Sequence, residues 1–212
     1  MTHTCFIDLD HTLFDTTAWH YFIAQHVCKK FKIAPEIYFK AYEEMRDRSG
    51  VNAVGDPMQL AQLLTQKYQV PVSVDDFSRE WYQHGLESAD FIYDDSLNFL
   101  EALGVHGVRR VLLSRGNPKI QQLKLQGTGL SDCVDEVIIV EDEKYSPLVK
   151  HLEEADGETF FVNDHVGENK EIAAKFPDVI VIPISRNAEK CPDGVCETLD
   201  EALEFIVEGF LK

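Results

Sequence analysis

Five short runs rich in β-branched, aliphatic and aromatic residues punctuate the chain, at 4–7 (TCFI), 108–113 (VRRVLL), 137–140 (VIIV), 159–162 (TFFV) and 179–182 (VIVI). Short, mostly continuous apolar runs of this kind are expected of strands covered on both faces of a parallel sheet. Helical spacing of apolar positions fills most of the intervals after the second run, at about 118–126, 146–155, 168–175 and 199–211. Asn117 before Pro118 is a helix start, because the asparagine side chain caps and the proline has its φ already set. Thr198 with Glu201 makes a capping box for the last helix. Strands alternating with helices predict a doubly wound α/β sheet.

The interval 16–90 breaks that rhythm. It holds four successive helical patterns, at about 18–32, 35–48, 57–67 and 74–85, and no strand pattern. A helical insertion between the first and second strands follows, which divides the chain into a core of 1–15 plus 91–212 and an inserted unit of 16–90. The 212 residues, 44% hydrophobic and 27% charged, are enough for such a core with a smaller inserted unit.

Composition narrows the function. A formal net charge of −17 argues against nucleic acid as a partner, since a phosphate backbone selects clustered Lys and Arg. No apolar run approaches the roughly 20 residues that span a bilayer, so no membrane partner is expected. The acidic residues Asp8 and Asp10 fall where a signal peptide would be apolar, which predicts a cytoplasmic protein. Five scattered cysteines read as reduced thiols. The CPDGVC segment of Cys191 and Cys196 reads as a turn, with a metal site or a disulfide as the alternatives. The protein is expected to act as a monomer or homodimer.

Four groups of polar residues stand at or just past the ends of the expected strands, where open α/β sheets place their ligand crevice. They are Asp8-Leu9-Asp10-His11-Thr12, Ser114-Arg115-Gly116-Asn117, Lys144, and Asn163-Asp164 with Glu168. Singly, each has an ordinary reading as a turn, a cap or a solvated charge. Together they suit one chemistry. If Asp8, Asp10, Asp164 and Glu168 converge, each close pair repels by about 1 kcal/mol in water and about 4 kcal/mol at an effective dielectric near 20. Such a cluster calls for a cation, and oxygen-only ligands favour Mg2+. A carboxylate can also attack phosphorus covalently, leaving positioning and charge neutralisation to a metal, a lysine and a hydroxyl.

On these motifs the sequence resembles the haloacid dehalogenase superfamily over essentially its whole length, specifically the phosphatase branch with a helical cap inserted after the first strand. The resemblance implies a Rossmann-like, three-layer α/β/α core and a Mg2+-dependent phosphatase acting on a small phosphorylated metabolite. Asp8 would be the nucleophile, Asp10 the general acid and base, and Ser114 and Lys144 the groups holding the transferring phosphoryl. Thr12, Arg115 and Gly116 would line the bound phosphate. Asp8, Asp10 (through its backbone carbonyl) and Asp164 would bind the metal, with Glu168 nearby. Two positions depart from the family pattern: Asn163 stands where glycine is common, and Glu168 where aspartate is usual. A phosphomutase, or a binding protein retaining the fold, remains the alternative. Dehalogenation is disfavoured because a halide needs no proton, which leaves Asp10 without a task, whereas an alkoxide does need one. In the insertion, Trp19, Trp81, Tyr21, Phe22, Tyr38, Phe39 and Tyr42 are expected mainly as cap core, and Arg46 and Arg48 as a charged helix end or contacts to a second anionic group.

Overall fold

The computed structural model describes residues 2–49, 56–154, 156–186 and 194–209. Five parallel strands form one sheet: β1 (Thr4–Ile7), β2 (Arg109–Arg115), β3 (Glu136–Val140), β4 (Thr159–Asn163) and β5 (Val179–Pro183), in the order β3-β2-β1-β4-β5. The chain builds outward from β1 to β3, then returns to β1's other side for β4 and β5. The switch of direction therefore falls between β1 and β4, where doubly wound sheets open a crevice at the strand ends.

The two-residue alternation along the strands sorts the core into two layers. Cys5, Ile7, Leu112, Phe160 and Val162 face one side, where they meet α5 (Ser96–Val105), α6 (Pro118–Thr128) and α9 (Leu199–Gly209). Phe6, Val111, Leu113 and Phe161 face the other, against α7 (Tyr145–Glu154) and α8 (Val166–Lys175). β1 and β4 are buried along their whole length, as their mostly apolar sequences predict.

Between β1 and β2 the chain makes α1 (Thr16–Phe31), α2 (Pro35–Ser49), α3 (Pro57–Gln66) and α4 (Val74–Gly85), a helical cap inserted into the α/β core. Trp19 of α1 and Trp81 of α4 meet edge to face at 5.4 Å between centroids. Entry to and exit from the insertion run side by side. Phe14 pairs antiparallel with Ile92, Asp15 N donates to Phe91 O at 2.8 Å, and Tyr93 N donates to Leu13 O at 3.1 Å.

Three details depart from the sequence pattern. Helix α1 starts at Thr16, two residues early, because the Asp15 carboxylate caps it by accepting from Ala18 N at 2.8 Å. Strand β2 continues through Ser114 and Arg115, so the serine lies within the strand's end. Helix α5 was not anticipated. Its Phe99, Leu100 and Leu103 form a short buried stripe that reaches β2 after a tight turn at Gly107, whose φ of 71° suits glycine. Cys191 lies outside the described residues, as does the side chain of Arg48.

Candidate active site

β1 delivers Asp8 to the crevice with its backbone still in the sheet, since Asp8 N donates to Val162 O of β4 at 3.0 Å. The loop then folds tightly back. Leu13 N and Phe14 N both donate to Leu9 O, and His11 sits at φ 59° with its N–H on Phe14 O. That left-handed conformation is uncommon outside glycine, though histidine is among the residues enriched there.

Lys144, just before α7, is buried against Asp8. Its Nζ lies 2.6 Å from Asp8 Oδ1, 3.0 Å from Glu168 Oε2 and 3.3 Å from Asn163 Oδ1. Asn163 is fully buried and exchanges hydrogen bonds with Asn169 of α8, one from Nδ2 to Asn169 Oδ1 and one from Asn169 Nδ2 to its own carbonyl, both at 2.9 Å. The asparagine at this position thus ties the ammonium to the end of β4 and the start of α8. His165 caps that helix, its Nδ1 accepting from Glu168 N at 3.0 Å.

Electrostatics follows from this packing. Burial pushes the Asp8 carboxyl above its usual range, and the neighbouring Asp10 and Glu168 add to the rise, while Lys144 pulls against it. Burial also disfavours the Lys144 charge, but the Asp8 and Glu168 carboxylates outweigh it and hold the ammonium. Asp164 is pushed up to about 7, first by burial and then by the charge of Asp8. Glu168 bridges two cations, with Arg115 at 2.9 Å on Oε1 and Lys144 on Oε2.

Asp10 faces away from this group, toward α6 and the cap. Its Oδ1 accepts from Thr16 and from Lys124, and its Oδ2 accepts from Gln121 Nε2 at 2.6 Å. Burial alone would raise its pKa, but the Lys124 ammonium and these hydrogen bonds prevail and hold it down at about 2. Ser114 is fully buried, with its Oγ accepting from the same Gln121 amide at 2.8 Å. Gly116 lets that amide approach, since a Cβ there would stand 2.9 Å from Gln121 Nε2. Thr12 is fully buried, and its Oγ1 has no partner. Its carbonyl accepts from Arg186, which forks onto Asp95 at 2.7 and 2.9 Å and lies 4.2 Å over the Tyr93 ring. A crevice of about 910 Å³ opens beside the site, lined by His11, Tyr21, Tyr93, Asp164 and Arg186 among others.

The structure therefore gathers Asp8, Asp164, Glu168, Lys144 and Arg115 into one charged group. It joins Asp10 to Ser114 through Gln121. Gln121, Lys124 and Arg186 were missed in the sequence, where each reads as an ordinary polar residue of a helix or loop. Arg46 is exposed on the cap.

Among the described residues, no group of three or more His, Cys, Asp or Glu side chains is arranged to hold a metal ion. The donor set nevertheless fits Mg2+, which is often bound through only one or two carboxylates with water completing its shell. Asp8 and Asp164 are two hard oxygen donors, and the charge of Asp8 adds to the rise at Asp164. Glu168 and the Asp10 carboxylate are engaged by cations of the chain instead.

A sequence profile of the haloacid dehalogenase-like hydrolases matches residues 2–182. Comparison with curated proteins gives no match. Among solved structures, a haloacid dehalogenase-like hydrolase from Burkholderia xenovorans superposes with a TM-score of 0.75 at 19% identity, over 100% of this chain and 99% of its own. The L-2-haloacid dehalogenase of Xanthobacter autotrophicus, with chloropropionic acid covalently bound, gives 0.67 at 17%, over 98% and 99%. The magnesium-bound hydrolase YfnB of Bacillus subtilis gives 0.68 at 13%, over 97% and 98%. These likenesses establish the shared fold. No helix among the described residues is long and apolar enough to cross a membrane.

Proposed function

The chain belongs to the haloacid dehalogenase-like hydrolases, and from that premise we propose that it is a Mg2+-dependent phosphatase of small phosphate monoesters. One observation carries the choice of phosphate over halide: a second, partly buried carboxylate, Asp10, stands two residues after Asp8 and is held by three side chains of its own. An alkoxide leaving group needs a proton donor there, and a halide does not.

Asp8 attacks phosphorus with one carboxylate oxygen. The ester P–O bond breaks, its electron pair goes to the leaving oxygen, and Asp10 supplies the proton from its protonated form, a minor population but a strong acid because Lys124 and its hydrogen bonds hold its pKa at about 2. Water then attacks the phosphorus of the aspartyl phosphate, Asp10 takes its proton, and the bond to Asp8 breaks to return the carboxylate and release phosphate. Lys144, beside Asp8, and the Ser114 hydroxyl hold the phosphoryl oxygens, with Thr12 Oγ1, Arg115 and the Gly116 backbone at its edge. Mg2+ held by Asp8, Asp164 and the Asp10 carbonyl would neutralise charge on the transferring group. Glu168 keeps Lys144 and Arg115 in place. The helical cap covers the crevice, where the leaving group of a small phosphorylated metabolite would lie.

The test is product release from a panel of phosphate monoesters and 2-haloacids, with and without Mg2+. Metal-dependent phosphate release without halide release is expected. Halide release without phosphate release would overturn the reading, and transfer to a sugar phosphate in preference to water would make the protein a mutase.

A further inference from the structure

The ion pair of Lys124 with the partly buried Asp10 carboxylate is not needed to bind phosphate or metal, and its surroundings are unusual. Lys124 is fully buried. Its ammonium lies 5.2 Å over the Trp19 ring of the cap and 5.8 Å over the Phe14 ring of the loop after β1, with the Asp10 carboxylate as its anionic partner. Gln121 stands one turn earlier on the same face of α6, and its amide spans Asp10 Oδ2 and Ser114 Oγ. Burying a lysine is costly even when it is paired, and an apolar side chain of similar volume often serves stability equally well. A cation at this seam therefore calls for a reason besides packing.

We propose that Lys124 and Gln121 are positioning residues for Asp10. They fix the plane and direction of its carboxylate relative to Ser114, and the Trp19 ring holds Lys124 in place. Through this contact the seating of the cap sets the aim of the acid. The seam is tightly built: a Cβ on Gly85, at the end of α4, would stand 2.5 Å from Leu123 Cδ2 of α6, and Ser88 Oγ donates to the Lys124 carbonyl at 3.3 Å. A shift of the cap is thereby passed to the turn of α6 that carries both side chains.

The inference rests on the reading of Asp10 as the proton donor, and one experiment separates the two. Lys124→Met, Gln121→Leu and Asp10→Asn are compared with the unaltered protein on p-nitrophenyl phosphate and on an alkyl phosphate, whose leaving group needs a proton far more. Magnesium half-saturation and thermal unfolding are measured alongside. Lys124→Met and Gln121→Leu should lower kcat for the alkyl ester by about 10–100-fold, part of the full effect of an acid, and for the nitrophenyl ester only a few-fold. KM and magnesium half-saturation should change little. Asp10→Asn should show the same selectivity more strongly. If Asp10→Asn discriminates between the esters and the other two variants lose both equally, the positioning role is overturned and Lys124 is a structural counter-ion. If Asp10→Asn itself does not discriminate, the proton-donor reading falls and the inference falls with it. Should Lys124→Met fail to fold, Gln121→Leu alone decides by the same criterion.

Discussion

The core and the cap both bury polar side chains, but of opposite kinds. At the strand ends of the core the buried groups include ions, each with an opposite charge beside it: Lys144 with Asp8 and the partly buried Glu168, and Lys124 with the partly buried Asp10. Inside the cap they are neutral and aromatic. His20 Nε2 and Tyr38 OH lie 3.1 Å apart, Trp81 Nε1 donates to the same hydroxyl at 3.3 Å, and the His20 ring lies against Tyr42 at 3.8 Å between centroids. Neutral hydrogen-bonded groups cost little to bury once satisfied, whereas ions cost several kcal/mol each even when paired. Among the described residues, the costlier arrangement lies at the strand ends beside the crevice and the less costly one within the cap.

Four substitutions bear on that contrast, from the largest effect to the smallest. Asp8→Asn should reduce phosphate release by at least about 10⁴-fold, as loss of a nucleophile does. Its midpoint of unfolding should move only a few degrees, because Lys144 keeps Glu168 as a partner. A large loss of stability with modest loss of rate would make Asp8 structural. Trp81→Ala in the cap should do the reverse. Loss of a large buried aromatic removes about 3–5 kcal/mol of stability by denaturant unfolding, while magnesium half-saturation stays unchanged.

The third test uses pH. Burial, with Lys124 and Arg46 nearby, lowers the pKa of His20 from 6.5 to about 4. The unfolded chain therefore takes up the His20 proton first as pH falls. The stability that depends on neutral His20 is fully present above pH 6.5 and is lost progressively down to pH 4, by about 3 kcal/mol. His20→Gln should flatten the stability–pH curve in that window relative to the unaltered protein, and an unchanged slope would show that the imidazole titrates freely. Last, Arg46→Ala, at an exposed cap position, should alter the ratio of kcat/KM between anionic and neutral leaving groups by a few-fold at most. Equal changes across substrates would assign Arg46 to the cap surface alone.

What could be read from the sequence divides along the same line. Asp8 and Asp10 stand out because they end an apolar strand, so the backbone itself places them, and the same holds for Ser114 and Asp164. Side chains that reach the site from within a helix leave no such mark. Gln121 and Lys124 sit in PKIQQLKLQGT, where a lysine one turn after a glutamine looks like a solvated face. Only the burial of α6 from both the sheet and the cap turns that face inward. Arg186 was hidden for a different reason: its partners, Asp95 and the Thr12 carbonyl, are remote in the chain and meet only when β5 is laid beside β4. Asn163 was noticed as a departure, but its reciprocal bonds with Asn169 require the geometry of the turn into α8.

The side-by-side entry and exit of the insertion have a consequence for how such a molecule can be remodelled. With Phe14 bridged to Ile92 and Asp15 to Phe91, the sheet experiences the whole cap as one long loop with anchored feet. Lengthening such a loop costs little closure entropy. A different lid could be grafted between these feet without disturbing the strand order. A graft chosen only for its fit to a new leaving group would leave Lys124 without the ring of Trp19 above it. On the role proposed for Lys124, a transplanted lid that brings no aromatic side chain to that spot should bind its new ester and turn it over slowly.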